Sequence, residues 1–171
     1  MIDPIQSKIF TLSEFLKKGN AWKSENLSLV FTNGVFDIVH KGHIDYLYKA
    51  SQKADKLIIG LNSDASVKRL DKGKDRPINN EEDRAYLLAA FGFVDAIIIF
   101  DEDTPLSLIE SIQPDVLVKG GDYDSKATKG SANYIVGSDI VNKYGGLVTV
   151  IPFLSGYSST NIIEKIRNFN A

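Results

Sequence analysis

The fold of this chain is limited most by the way in which short apolar segments alternate with amphipathic ones. The apolar segments lack the polar alternation of a half-exposed strand, so they indicate strands that are buried on both faces. The segments between them carry apolar residues at helical spacing. This alternation predicts an α/β fold, with a doubly wound sheet of about five parallel strands and helices on both faces. The strand candidates are 27–32, 57–61, 94–100, 115–119 and 147–152.

Helices are predicted between these strands and before the first of them. Thr11 and Glu14 have the spacing of a capping box, so a short helix is expected to begin there. Gly19 is its predicted end, and residues 20–26 are predicted to form a loop into the first strand. Asn80 is the predicted N-cap of a later helix. The other helix candidates are 42–53, 80–91, 104–112, 138–144 and 159–169.

The composition is that of an ordinary globular domain and excludes several classes of function. The 171 residues are 43% hydrophobic and 25% charged, which suits one domain at 27–171 with 1–26 as an N-terminal helix and linker in the same unit. The absence of cysteine excludes disulfides, zinc–thiolate clusters and a catalytic thiol. A net charge of -2 argues against nucleic-acid partners, and no apolar run is long enough to span a bilayer. Because no segment of signal-peptide type is evident, we expect a cytoplasmic location without membrane partners.

Both histidines of the chain, His40 and His43, follow the first predicted strand. Parallel sheets bind ligands beyond the carboxyl ends of their strands, and a helix is predicted to begin at 42. Backbone N–H groups at a helix start attract anions, and imidazoles can donate hydrogen bonds to phosphate oxygens. Gly34 and Gly42 allow the backbone to approach a ligand closely. We favour phosphate binding over a surface pair without a role, and over a metal site, because no third metal ligand is evident.

The ten residues from Gly34 to His43 match the pattern G-x-F-D-x-x-H-x-G-H and resemble the cytidylyltransferase-like nucleotidyltransferases. The resemblance implies a Rossmann-like sheet. It also gives His40 and His43 a catalytic role, in which they hold a triphosphate and stabilise charge at its α-phosphate. The nucleotide-binding residues that it implies here are Asn33, Gly34, Phe36 and Gly42, and Asp37 is implied to bind the second substrate.

A second anion site is predicted at the start of the last helix, where Ser158, Ser159 and Thr160 supply hydroxyls and backbone amides. Ordinary N-capping by Ser158 or Ser159 is the alternative explanation, and both can hold together. The segment resembles the S-S-T-x-I-I element of the same family, which implies contact with the triphosphate from the opposite side. Related choline-phosphate enzymes carry an arginine upstream of this element. Here that region has no basic residue, and Arg167 lies too far along the helix to replace it.

Five cations lie between Lys68 and Arg76. A solvated charged loop is the usual explanation of such a run. A lysine that reaches a polyphosphate is the functional alternative. Lys72-Gly73 resembles the K-G element of the family, which implies that Lys72 is catalytic and neutralises the α-phosphate, and Lys74 is the second candidate.

Further polar residues follow other predicted strands or open the helix at 80–91. Each of them has an explanation without function. Residues 62–64 can be an ordinary turn, Lys119 can be an exposed lysine in a turn, and Arg84 can be a charge on the surface of a helix. The resemblance implies nucleotide-binding roles for Lys119, Gly120 and Arg84. It implies substrate-binding roles for Asn62, Asp64, Arg76 and Asp122.

Together these elements resemble most the adenylyltransferase domains of the ADP-heptose synthases, although Val35 stands where that branch usually has cysteine. The resemblance implies transfer of AMP from ATP to a sugar phosphate, D-glycero-β-D-manno-heptose 1-phosphate. Mg²⁺ is expected to accompany the ATP, and no metal ligand is predicted in the chain. A sugar kinase is often fused to this domain, and with 171 residues we expect the domain to stand alone here. A homo-oligomer is expected, with a dimer favoured.

Two other functions remain open at this point. The first is a CTP-dependent cytidylyltransferase that acts on glycerol 3-phosphate or a similar polyol or amino-alcohol phosphate, because it would use the same triphosphate residues. The second is a nucleotide-binding module without catalytic activity. The presence of both histidines and a candidate lysine argues against the second function.

Overall fold

A parallel sheet at the centre of the molecule separates two layers of helices. The computed structural model describes residues 3–70, 76–121 and 123–169. Within these ranges the sheet has six strands in the order β1-β4-β3-β2-β5-β6, and each neighbouring pair is parallel. The strands are β1 (Ile9–Phe10), β2 (Leu29–Gly34), β3 (Lys56–Asn62), β4 (Ala96–Phe100), β5 (Val116–Gly120) and β6 (Leu147–Ile151).

Seven α-helices, counted over the same ranges, flank or connect the strands. They are α1 (Leu12–Ser24), α2 (Lys41–Ser51), α3 (Asp64–Arg69), α4 (Glu81–Ala89), α5 (Leu106–Ile112), α6 (Ser138–Lys143) and α7 (Ser159–Asn168). A 3₁₀ turn at Gln6–Lys8 precedes β1. No helix in the described part of the chain combines the length and the apolar character needed to cross a membrane.

Each face of the sheet has its own hydrophobic core, because successive residues of a strand point to opposite sides. Val30 belongs to the core under α2 and α4, together with the fully buried Leu47. Phe31 belongs to the core on the other face, together with Phe15 of α1 and Ile109 of α5. The predicted doubly wound sheet with helices on both faces is thereby confirmed.

Two predicted helix starts are confirmed, and one predicted helix end is wrong. Thr11 and Glu14 form the capping box of α1, and the Asn80 side chain caps α4. The helix α1 continues through Gly19 to Ser24 instead of ending at the glycine. A Cβ atom at Gly19 would lie 3.1 Å from the ring of Phe15, so this glycine serves close packing.

The sheet has one strand more than the five that the sequence indicated. The additional strand β1 has only two residues and pairs with β4 at the edge of the sheet. The six-residue helix α3, which directly follows β3, was not predicted either. Both elements are too short to give a periodic pattern in the sequence.

The strand order places the end of β2 at the centre of the sheet's carboxyl edge. β2 pairs with β3 on one side and with β5 on the other. The chain first winds outward through β3 and β4 and then returns to continue through β5 and β6. The winding direction therefore reverses between β2 and β5, which is where open α/β sheets bind their ligands.

Candidate functional site

A cavity of about 800 Å³ lies at this reversal point. The predicted site residues that line it are Asn33, Gly34, Phe36, Asp37, His40, Gly42, His43, Asn62, Arg76, Lys119, Gly120, Ser158, Ser159 and Thr160. Arg84 and Asp64 are not among the lining residues. Lys72 and Asp122 lie outside the described residues. The fold thus joins predicted residues from five places in the sequence, around 33–43, 62, 76, 119–120 and 158–160, in one cavity.

The loop after β2 has a backbone shape that depends on particular residues. Phe36 adopts a left-handed conformation with φ of 48°, which is uncommon for a residue other than glycine. Its ring is buried, and it contacts the His43 ring edge to face at a centroid distance of 5.3 Å. A Cβ atom at Gly34 would lie 2.9 Å from the Phe36 ring. Glycine at 34 therefore leaves room for the ring that supports His43.

His40 is the N-cap residue of α2, and its capping hydrogen bond determines which nitrogen of the neutral ring is the donor. Its Nδ1 accepts a hydrogen bond from the His43 backbone N–H at 3.4 Å. An accepting Nδ1 carries no hydrogen, so the hydrogen of the neutral ring is on Nε2. Burial lowers the pKa of His40 below its ordinary value, which favours this neutral form. The rings of His40 and His43 are stacked with centroids 3.9 Å apart.

A second helix start meets the first one at the cavity. Ser158 caps α7 by accepting a hydrogen bond from the Asn161 N–H at 3.3 Å, which confirms the capping explanation for this serine. The Ser159 hydroxyl donates to the Ile38 carbonyl at 3.1 Å and so connects α7 to the loop after β2. A Cβ atom at Gly42 would lie 2.9 Å from that of Tyr157, so the two helix starts are in close contact. Backbone N–H groups at both helix starts can bind an anion between them.

Lys119 brings a cation to the wall of the cavity. Its ammonium group donates to the Asn33 side-chain oxygen at 2.5 Å and lies 5.6 Å from the centre of the Tyr123 ring. The two residues come from the ends of adjacent strands, β5 and β2. The pair connects the end of β2, and with it the histidine loop (residues 35–40, between β2 and α2), to the strand on the other side of the reversal point.

Asp37 borders the cavity, but its carboxylate is engaged by the protein itself. The side chain is fully buried and accepts from Arg76 Nε at 2.5 Å. It also accepts from the backbone N–H groups of Ile78 at 2.8 Å and Asn79 at 2.9 Å. These contacts hold the segment that precedes α4 against the histidine loop. Asp37 therefore supports the loop in this structure, and its predicted substrate contact stays a prediction.

Arg84 makes buried contacts within the protein that the sequence did not indicate. It is 1% exposed, and its guanidinium donates to the carbonyls of Val35 at 2.7 Å and Asn79 at 3.0 Å, and to Asp64 Oδ1 at 2.7 Å. The side chain lies under the histidine loop with all of these donors directed at protein atoms. Both Arg84 and Asp64 therefore support the loop in this structure, and their predicted contacts with nucleotide and substrate stay predictions. Asn62 does line the cavity, and its side-chain amide donates to the Ser66 hydroxyl at 3.0 Å.

The sequence prediction missed the aromatic part of the cavity wall. Tyr123, Tyr134, Phe153 and Tyr157 all line the cavity. They come from the segments after β5 and after β6, so they are placed at the carboxyl edge like the predicted residues. Their positions after strands were the available signal. Without the tertiary structure, nothing distinguished these rings from core residues.

Comparison with known proteins gives the family. The sequence model of the cytidylyltransferase-like family matches residues 31–165, which include the histidine loop, Lys119 and the start of α7. The chain belongs to the cytidylyltransferase-like family. Its cavity therefore lies in the part of the chain that defines this family.

Two relatives of this cytidylyltransferase-like chain are more than 50% identical to it over most of its length. The bifunctional protein HldE of Geotalea uraniireducens (strain Rf4) is 52% identical over 161 residues, which are 94% of this chain and 31% of that protein. The bifunctional protein HldE of Campylobacter jejuni subsp. jejuni serotype O:2 is 56% identical over 146 residues, which are 85% of this chain and 29% of that protein. The chain thus spans about a third of the length of these relatives.

A solved structure agrees with this assignment. The lipopolysaccharide core biosynthesis protein from Thermoplasma volcanium GSS1 is 28% identical, with a TM-score of 0.57. The match covers 77% of this chain and 99% of that one. The similarity supports the Rossmann-like description of the fold.

Proposed function

We propose that this chain is a nucleotidyltransferase that moves AMP from ATP to D-glycero-β-D-manno-heptose 1-phosphate, giving ADP-heptose and pyrophosphate for lipopolysaccharide synthesis. The observation that carries the proposal is the meeting of the histidine loop and the Ser158–Thr160 helix start at one cavity. The motif resemblance to the adenylyltransferase domains of the ADP-heptose synthases supports the choice of substrates, as does the identity above 50% to the HldE proteins. The resemblance to a lipopolysaccharide core biosynthesis protein supports the same choice.

The proposed reaction is a direct displacement at phosphorus. An oxygen of the sugar phosphate forms a bond to the α-phosphorus of ATP, and the bond from that phosphorus to the β-phosphate oxygen breaks. Pyrophosphate leaves with the electron pair of the broken bond. The attacking phosphate is already ionised at neutral pH, so the reaction needs no general base. The protein has to position the two phosphates in line and stabilise the charge that develops between them.

The described residues can supply both of these effects. The Nε2–H of His40 is a donor in the neutral ring, and His43 lies beside it in the same stack. Free backbone N–H groups at the starts of α2 and α7 can bind the triphosphate from two sides. Preorganised donors of this kind stabilise developing charge without reorganising during the reaction. Lys119 adds a cation at the end of β5.

Mg²⁺ is implied by the use of a nucleoside triphosphate, and the donor set fits an ion that arrives with the nucleotide. In the described part of the chain, no group of three or more histidine, aspartate and glutamate residues could hold a metal ion. Mg²⁺ in nucleotide enzymes is commonly held by substrate phosphates and waters instead of an all-protein cage. When bound, the ion neutralises phosphate charge. We propose that the phosphates of ATP hold it here.

A screen of pyrophosphate release tests the proposed function. Purified protein is incubated with ATP or CTP and a panel that contains heptose 1-phosphate, other sugar 1-phosphates, glycerol 3-phosphate and phosphoethanolamine. We expect release with ATP and heptose 1-phosphate and little release with CTP. Equal or faster turnover of CTP with a polyol or amino-alcohol phosphate would transfer the protein to the cytidylyltransferases. Nucleotide binding without turnover of any pair would favour the non-catalytic module.

A further inference from the structure

The cavity has two chemically different halves on the two sides of β2. The lining residues on the side of β3 and β4 include the polar Asn62, Arg76, Asp103 and Thr104, which are called the polar half below, together with Leu70 and Pro105. The residues after β5 and β6 form an aromatic half, which consists of Tyr123, Tyr134, Phe153 and Tyr157. Because β3 and β5 pair with opposite sides of β2, the histidine loop lies between the two halves.

Phe153 is the most exposed ring of the aromatic half. It is 62% exposed although it lines a cavity, and it follows β6 directly after Pro152. A Cβ atom at Gly120 would lie 2.8 Å from Phe153 Cζ, and one at Gly121 would lie 2.8 Å from Phe153 Cδ2. The ring therefore rests on side-chain-free backbone, and Tyr46 meets it edge to face at 6.0 Å. An apolar ring that is fixed on one side and open to a cavity on the other is suited to stack on a flat ligand group.

We propose that Phe153 is the stacking platform for the nucleobase. This places the base of ATP in the aromatic half, its triphosphate at the histidine loop and the sugar phosphate in the polar half. The inference rests on the proposed nucleotidyl transfer and adds the orientation in which the two substrates bind. It assigns Phe153 a direct contact with the nucleotide that the motifs of the chain did not indicate.

The chemistry of the two halves decides which substrate each half takes. A sugar ring carries hydroxyls on every side and needs hydrogen-bonding partners, which the Asp103 carboxylate, the Thr104 hydroxyl and the Asn62 amide oxygen can provide in the polar half. A nucleobase has two apolar faces, and stacking on an aromatic side chain stabilises it whichever base it is. The aromatic half therefore suits the base better than the sugar.

Equilibrium binding tests the inference independently of turnover. The affinities of ATP and of inorganic tripolyphosphate are measured by calorimetry for the wild type, F153L, F153W and the control F169L. Phe169 is another exposed phenylalanine, 77% exposed after α7, and it does not line the cavity. We expect F153L to weaken ATP binding about ten- to a hundred-fold and to leave tripolyphosphate binding unchanged. F153W and F169L should bind ATP within about three-fold of the wild type, since an aromatic face remains at 153 in each.

Three results would overturn the role of Phe153. F153L that binds ATP as tightly as the wild type would overturn it, and so would an equal loss for ATP and tripolyphosphate. A KM increase confined to the sugar phosphate would also overturn it, because it would place the sugar on Phe153. Failure of the proposed function gives a different pattern. In that case F153L still weakens ATP binding selectively, while the wild type releases no pyrophosphate with any sugar phosphate.

Discussion

The two histidines differ in their surroundings, and His40 is the one whose hydrogen-bonding state the structure defines. Its Nδ1 accepts from the backbone at the start of α2, which leaves Nε2 to donate. A protonated His40 would have to give up this capping bond, because both nitrogens of an imidazolium are donors. Burial acts in the same direction by lowering the pKa of His40. The residue is therefore set up as a neutral donor and an N-cap at the same time.

The first prediction concerns the titration of this residue. The chain has two histidines, so spectra of the ¹⁵N-labelled histidines contain only two sets of side-chain signals. In these spectra His40 should titrate with a pKa below its ordinary value of 6.5. Its neutral form should be the Nε2–H tautomer. Since the unfolded state takes up the proton first, the free energy of unfolding should fall as the pH decreases from 6.5 toward the lower folded-state pKa. His43→Gln assigns the signals. A His40 pKa above 6.5, or an Nδ1–H tautomer, would contradict the capping geometry.

The second prediction separates catalysis from binding at the same two residues. His40→Ala and His43→Ala should each lower kcat by about 10²–10³-fold, because each removes a donor from the developing charge. The Kd of ATP should change much less, since the helix N-termini remain. Single-turnover rates and equilibrium binding give the two quantities. Lys49→Ala is the control, because Lys49 lies at the far end of α2 and pairs with Asp45 at the surface. Near wild-type turnover in both histidine variants would contradict the proposed catalytic role of the two histidines.

At the scale of elements, the histidine loop depends on a buried guanidinium that comes from another helix. Arg84 of α4 joins the loop at Val35, the segment before α4 at Asn79 and the start of α3 at Asp64. Asp37 makes a second connection from the loop to residues 76–79. These bonds fix the loop relative to the polar half of the cavity. Arg84 is therefore a positioning residue, which acts on the ligands through the loop.

The third prediction tests this positioning. Arg84→Met leaves the buried Val35 carbonyl without its donor, so the free energy of unfolding should fall by about 2–5 kcal/mol. Arg84→Lys should recover part of the lost free energy of unfolding, because lysine retains the charge but not the forked geometry of the guanidinium. Arg69→Met is a matched control, since Arg69 pairs with Asp103 at an exposed site and its loss should change stability little. Urea unfolding measures stability, for which Arg69→Met is the control, and kcat/KM of the folded Arg84→Met variant should also fall. Equal effects of the two arginines would contradict the assigned role.

The sequence predicted the elements that have strong periodic patterns and the residues that belong to local motifs. The alternation of strands and helices and the capping residues Thr11 and Asn80 were correct because they depend on short-range chemistry. Gly19 was misinterpreted because its partner, the Phe15 ring, becomes visible only in the folded helix. Phe153 was missed, and the buried contacts of Arg84 were not foreseen, for a related reason. Whether a side chain enters a cavity or lies beneath it depends on contacts between elements far apart in the chain.

At the scale of the whole molecule, the charge of the chain does not favour the substrates. The net charge is -2, whereas ATP and a sugar phosphate bring several negative charges to one cavity. The attraction therefore has to come from local groups. Among the described lining residues, Arg76 already pairs with Asp37, and Lys119 already donates to Asn33. A further cation near the α-phosphate would balance the charge that develops during transfer.

The last prediction concerns the source of that cation, for which the sequence offers Lys72 and Lys74. Both lie in the basic segment outside the described residues, and the K-G resemblance favours Lys72. Lys72→Ala should lower kcat by about 10²-fold and leave much of the ATP affinity, because neutralisation of the α-phosphate matters most in the transition state. Lys74→Ala removes the same charge two positions away, so it controls for a general effect of charge on polyanion binding. Single-turnover rates and ATP Kd values of the two variants decide the matter. A specific kcat loss in Lys72→Ala supports the catalytic role, whereas equal small losses in both variants would identify the segment as a solvated charged loop.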